Sequence, residues 1–200
     1  LFNLIKSISI HTKIIHFSSD YVFDGKQQMY SEESLPNPVN FYGKTKLESE
    51  NLLIGQRKPY VIIRPNTIYS LRGINFFNWV YNELKSSNTI NVVDDQISNP
   101  SYIPSIVKSI IDMILMNAKG TYHHGSVDYI SRYEFCCKIS NKFNFNHKLI
   151  NRIKTKELNQ CVERPKKSCL SIAKIEKDFN LKMNYTNDSL DDLFERLKYE

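Results

Sequence analysis

The feature that most constrains this chain is a pair of short runs, Ile14-Ile15-His16-Phe17 and Tyr60-Val61-Ile62-Ile63, that show no alternation of polar and apolar residues. A strand without a polar face must be covered on both sides, and that is the habit of parallel sheets. Each run follows a stretch of helical character. Leu1, Leu4, Ile5 and Ile8 are spaced for a helix over residues 1–12, and residues 41–55 read as a second helix before the second strand. Helix, strand, loop, helix, strand is the rhythm of an α/β fold with a doubly wound sheet. The intervening residues 25–40, with Pro36 and Pro38, read as a loop.

Beyond Pro65 the pattern predicts helices over 74–86 and 103–116, short strands over 90–93 and 120–125, and closing helices near 171–178 and 188–199. Ser131 and Glu134 have the spacing of a capping box and predict a helix start.

Composition narrows the class. With 41% apolar and 12% aromatic residues the chain can bury a substantial core. No apolar run approaches membrane-spanning length, and no signal-peptide pattern is present; a cytoplasmic protein without a membrane partner is expected. The chain opens on Leu1, and we read the natural N-terminus as lying upstream. Cys136, Cys137, Cys161 and Cys169 contain no C-x-x-C pair and are expected to be reduced. The net charge of +6 gathers partly in Lys154, Lys156, Arg164, Lys166 and Lys167, read as a solvated face. Nucleic acid is not expected as a partner, because basic and aromatic residues are not interleaved.

The chemistry-bearing segment is Ser18-Ser19-Asp20-Tyr21-Val22-Phe23-Asp24-Gly25, followed by Tyr42-Gly43-Lys44-Thr45-Lys46-Leu47. Tyr42 and Lys46, four apart on a helix, share one face, so the ammonium is expected to lower the phenol pKa and tune Tyr42 as a proton donor. Ser19, at a strand end, can hydrogen-bond a substrate carbonyl and stabilise developing negative charge. Tyr81 and Lys85 repeat the spacing without a hydroxyl-bearing strand end before them, and we read that pair as coincidence. His123 and His124 are neighbours on a strand and point to opposite faces, so no metal site is expected. Cys136 and Cys137 read as buried structural thiols.

These motifs, with Arg64-Pro65, Asp95-Gln96, Pro100, Gly120-Thr121-Tyr122-His123, Ser131-Arg132-Tyr133-Glu134-Phe135 and Arg164-Pro165, resemble the extended short-chain dehydrogenases/reductases. More narrowly they resemble the dTDP-4-dehydrorhamnose reductase group, which includes the regulatory β subunit of methionine adenosyltransferase.

The resemblance implies a catalytic triad of Ser19, Tyr42 and Lys46, and NADPH or NADH as cofactor, bound by Ser18, Tyr42, Lys46, Pro65 and Asn66. It implies a nucleotide-sugar substrate bordered by Ser19, Asp20, Tyr21, Asn66, Gln96 and Arg164, with Asp95 in the same lining segment. It implies residues 1–70 as the latter part of a Rossmann-type domain and 71–200 as mainly a small mixed substrate-binding domain, with 88–110 returning to the first sheet.

The reaction so implied is reduction of a 4-keto group on a nucleotide-activated 6-deoxysugar. The alternatives are a non-catalytic regulatory subunit, or an epimerase or dehydratase using the same Tyr and Lys. Oligomeric state, whether a homodimer or a complex with a partner enzyme, has no sequence signature.

Three departures from the family pattern stand out. Ser19 replaces a common Thr, which preserves the hydroxyl. Asn66-Thr67-Ile68-Tyr69 stands where rhamnose enzymes often carry Ser-Trp-Val-Tyr. The Gly-rich phosphate-binding turn is absent from this sequence, so the chain alone is expected to bind cofactor poorly and turn over little.

Overall fold

Along the second apolar run, Ile62 packs with Ile5, Ile14 and Leu53, whereas Val61 and Ile63 pack with Met113, Tyr122, Ile175 and Phe179. A strand that buries both of its faces needs helices on both, and the sequence supplies them. The computed structural model describes residues 1–56, 58–158 and 160–198.

Helix α1 (Phe2–Ser7) leads to strand β1 (Ile14–Phe17), and α2 (Phe41–Ile54) to β2 (Tyr60–Pro65). Then follow β3 (Ile68–Tyr69), α3 (Phe76–Lys85), β4 (Ile90–Val93), β5 (Ile97–Ser98), β6 (Ser101–Tyr102) and α4 (Ile103–Leu115). Next come β7 (Gly120–His124), β8 (Ile130–Ser131), α5 (Arg132–Lys142), β9 (Ile150–Ile153), α6 (Ala173–Phe179) and α7 (Thr186–Leu197).

Strands β1, β2 and β7 form a parallel sheet with β2 central, in register Ile14 to Tyr60 and Val61 to Gly120. Helices α1 and α2 cover one face; α4 and α6 cover the other. A second core joins α3, α5 and α7 around Tyr69, Phe77, Phe135, Ile139 and Leu193, beside the parallel pair β4–β9.

Three expectations need correction. Segment 88–110 does not rejoin the first sheet as a strand: β4 pairs with β9, because Val92 and Ile90 bury into the second core, and only α4 returns to cover the first. The first helix stops at Ser7, where Ile8 turns extended (φ −95°, ψ 156°); the β-branched Ile8 and Ile10 interleaved with Ser7 and Ser9 favour that conformation. The helix read from 171 begins at Ala173, and Tyr199 of the closing helix lies outside the described residues.

The capping box at Ser131 is present: its hydroxyl accepts from Glu134 N at 3.0 Å, and its own N–H donates to Glu134 Oε2 at 2.7 Å. Tyr81 of the second Tyr/Lys pair packs edge-on against Phe143 and Phe145 in the second core. No helix among the described residues is long and apolar enough to cross a membrane, and the four cysteines are unpaired.

Candidate active site

The site forms where β1 ends and α2 begins. Ser18 continues the sheet pairing by donating its N–H to Ile63 O at 2.8 Å. Ser19 then leaves the sheet and caps a short 3-10 turn over Asp20–Val22, its Oγ accepting from Tyr21 N at 3.1 Å. The same hydroxyl donates to Asp20 Oδ1 at 3.0 Å.

Helix α2 starts on Asn40, whose side chain accepts from Gly43 N at 2.8 Å and donates to Glu163 O at 2.9 Å. One asparagine thus ties the helix start to the segment that precedes Arg164. Gly43 has a steric reason to be glycine: a Cβ there would sit 2.1 Å from Tyr21 O. The absence of that atom lets α2 press against the Asp20–Val22 turn and sets Tyr42 edge-to-face with Tyr21, ring centroids 5.8 Å apart.

Tyr42 is half exposed, at 50%, on the open side of this junction. Lys46 lies below it, its Nζ 5.6 Å from the Tyr42 ring centre and donating to Phe17 O at 3.0 Å. Helical spacing and strand end therefore bring Ser19, Tyr42 and Lys46 together. The predicted electrostatics are reversed in this state. The phenol pKa is raised, first by partial burial; the Ser19 hydroxyl favours the ionised form, and the Asp20 charge opposes it. Lys46 spends its ammonium on the Phe17 carbonyl, which the sequence spacing did not reveal.

Asp20 is almost fully buried, and burial pushes its carboxyl up to about 6 against hydrogen bonds from Ser168 and Ser19 and the Arg132 charge. Tyr21 is also raised by burial, with Asp20 adding to that and Arg164 and Arg132 opposing it.

Ser18 is buried and its Oγ has no hydrogen-bond partner. Such an orphaned hydroxyl, next in sequence to the Phe17 carbonyl that Lys46 holds, fits a polar cofactor group laid across the strand ends. Pro65 ends β2 in the buried layer opposite His124. Asn66 is fully buried, and its amide donates to Asn99 Oδ1 and the Ser168 carbonyl. It ties the turn after β2 to the Asn99 and Ser168 segments and has no free donor to offer a ligand.

Next to the junction lies a cleft of about 670 Å³ lined by Thr67, Phe76, Trp79, Val92, Arg132 and Arg164, among others. Gln96 lines it as well, with its amide donating to Thr155 Oγ1 at 3.2 Å and Gln160 Oε1 at 3.3 Å. Arg164 is exposed at the rim. Asp95 instead accepts from Thr155 N at 2.8 Å and Thr155 Oγ1 at 2.6 Å, spending one carboxylate oxygen on a turn.

Arg132, Phe76 and Trp79 were not singled out from sequence. The Arg132 guanidinium stacks 4.9 Å over the Phe76 ring and faces the Asp20–Tyr21 turn. Its sequence signals were its place in the Ser131–Phe135 motif and directly after the capping Ser131, neither of which assigned it to the cleft.

His123 and His124 diverge as expected: His123 Nε2 lies 3.3 Å from Arg64 Nη1, and His124 Nε2 lies 3.5 Å from Ser105 Oγ. Burial lowers them to about 3 and about 4.

A doubly covered parallel sheet with a Tyr-x-x-x-Lys helix under a serine-bearing strand end has the arrangement expected of a short-chain dehydrogenase/reductase. The family model described as RmlD substrate binding domain matches residues 6–199, and the chain belongs to that family. The dTDP-4-dehydrorhamnose reductase of Aggregatibacter actinomycetemcomitans is 32% identical over 88% of this chain and 64% of its own length. The methionine adenosyltransferase 2 subunit beta of Xenopus tropicalis is 29% identical over 82% of this chain and 52% of its own. The crystal structure of a Bacillus anthracis dTDP-4-dehydrorhamnose reductase in complex with NADP superposes with a TM-score of 0.87 at 29% identity, covering 92% of this chain and 66% of that one. The chain thus spans less than two thirds of the length of the curated relatives named here.

Proposed function

We propose that the protein to which this chain belongs reduces the 4-keto group of a nucleotide-activated 6-deoxysugar, using NADPH or NADH. The observation that carries this reading is the convergence of Ser19, Tyr42 and Lys46 beside the Asp20–Tyr21 turn, which is faced by Arg132 and Arg164 of the neighbouring cleft. The similarity to nucleotide-sugar reductases supports the substrate class.

A nicotinamide held by Ser18, Tyr42 and Lys46 would supply the hydride. Ser19 and Tyr42 hold the keto oxygen, and Tyr42 gives it a proton as charge develops there. With its pKa raised, the phenol is kept protonated and ready to donate; Lys46, on the same helix face, would hold the cofactor ribose hydroxyls, and its positive charge would favour the phenolate left by that transfer. Arg132 and Arg164 suit the pyrophosphate of the sugar nucleotide, and Phe76 and Trp79 offer it flat apolar surface. The work of the protein falls in sugar-nucleotide biosynthesis, in the cytoplasm.

The test is NADPH oxidation by the full-length protein on dTDP- and UDP-linked 4-keto-6-deoxy sugars, with Tyr42→Phe run in parallel. We expect turnover in the wild type and a loss of about a thousandfold in the variant, within the usual range for a positioned acid. A second reading, a regulatory subunit, rests on the similarity to methionine adenosyltransferase 2 subunit beta. It would be favoured by a folded, cofactor-binding wild type that turns over none of these sugars.

A further inference from the structure

The face of α2 that carries Tyr42 and Lys46 continues four residues on to Glu50, so the three side chains form one ladder along the helix. Unlike Tyr42, Glu50 is buried, at 1% exposure. Its two oxygens accept from one guanidinium: Arg64 Nε to Oε1 at 2.9 Å and Nη2 to Oε2 at 2.6 Å. This planar fork-to-fork contact permits little rotation of either partner.

Arg64 is itself held tightly. Its guanidinium lies 5.1 Å over the Phe23 ring, and Nη1 is 3.3 Å from His123 Nε2. Phe23 stacks in turn on Tyr30 at 4.3 Å. The arginine stands on central strand β2, one residue before its end at Pro65. It therefore links the central strand of the sheet to the helix that bears the phenol and the ammonium.

A buried ion pair is a poor means of stabilising a fold, because desolvation offsets most of its Coulomb attraction. Its strict geometry suits a different task. We propose that Glu50 and Arg64 are positioning residues, which fix the rotation and height of α2 against β2 and so aim Tyr42 and Lys46 at the reacting carbonyl. Neither touches substrate or cofactor. Lys46 makes a second link, to β1 through Phe17 O at 3.0 Å, but that link must loosen if the ammonium serves a ligand. The Glu50–Arg64 clamp remains when it does.

The proposal rests on the reductase reading, and the experiment separates the two. In the full-length protein, wild type is compared with Glu50→Gln and with Glu50→Leu/Arg64→Met, which replaces the pair by apolar groups of similar volume. Thermal unfolding reports the fold, steady-state kinetics report kcat and KM, and ring-labelled tyrosine NMR reports the Tyr42 phenol, assigned by Tyr42→Phe.

The expected result is a folded double variant with kcat down about a hundredfold, the cost of roughly 1 Å of misplacement. KM for the nucleotide sugar should stay within about twofold, since Arg132 and Arg164, assigned to its pyrophosphate, are untouched, and the Tyr42 phenol titration should shift. A folded double variant with wild-type kcat and wild-type Tyr42 titration overturns the proposal. If only Glu50→Gln folds, the same readouts on it decide. If neither folds, the pair serves stability and the proposal is overturned. If the wild type reduces no sugar, the reductase reading fails, and the position of Tyr42 is then judged by NMR alone: an unchanged signal overturns the proposal.

Discussion

The two cores of this chain are built on different principles. Around β1, β2 and β7 the buried layer is interrupted by polar groups: Ser18, Glu50, Arg64, His123 and His124 all lie inside. Around α3, α5 and α7 the core is apolar and aromatic, with Phe135 packed at 4.9 Å from Tyr69 and 5.6 Å from Phe76. Apolar packing tolerates volume-conserving change, whereas a buried polar pair does not tolerate the loss of one partner. The difference teaches that the half carrying Ser19, Tyr42 and Lys46 is held for geometry, and the half walling the cleft is held for bulk.

The largest break in that comparison should come from Phe135→Ala. Removing a fully buried ring should cost about 4 kcal/mol, since the flanking Tyr69 and Phe76 cannot close the gap. Urea unfolding measures this directly. Volume-conserving Phe135→Leu should recover most of it, and a leucine as damaging as alanine would show that the second core is as exacting as the first.

Asp20 sharpens the contrast from the other side. Its pKa rises from 3.8 unfolded to about 6 folded, so the folded state binds the proton more tightly and stability is lost as pH rises through that window. The penalty is absent below about pH 4 and complete above about pH 6, and it amounts to about 3 kcal/mol. Asp20→Asn should therefore match the wild type at pH 4 and exceed it by up to that amount at pH 7. A stability difference that stays flat between those pH values would refute the assignment.

The smallest effect expected is that of Ser131→Ala. It removes one side of the capping box and should cost about 1 kcal/mol in urea unfolding. Because Arg132 follows directly and faces the Tyr21 turn, the same change should raise KM for a nucleotide sugar while leaving kcat near wild type. Equal KM values would detach the cap from the cleft.

Much of the first sheet was legible in sequence because its signals are local. The runs at Ile14 and Tyr60 and the helix at Phe41 each follow from a few adjacent residues, as does the capping box at Ser131 that starts α5 in the other core. The three two-stranded pairs, β3–β6, β4–β9 and β5–β8, were less legible. Strands β3, β5, β6 and β8 have two residues each, too few for a period to show, and β9 was missed because Asn151 and Arg152 interrupt its apolar pattern. At the site, Ser19, Tyr42 and Lys46 were readable from spacing. Arg132 was not, since it approaches Tyr21 from more than a hundred residues away.

The sequence by itself determined that Tyr42, Lys46 and Glu50 share a helix face, that a serine ends the strand before them, and that glycine stands at position 43. Those are consequences of helical period and residue type, and they hold wherever the helix lies. Only the tertiary structure decided what each side chain meets. Lys46 turned to the Phe17 carbonyl, Glu50 found Arg64, and Asp20 was buried until its carboxyl titrates near 6. Charge interactions depend on distance and on exclusion of water, and both are set by segments that come together only when the sheet assembles.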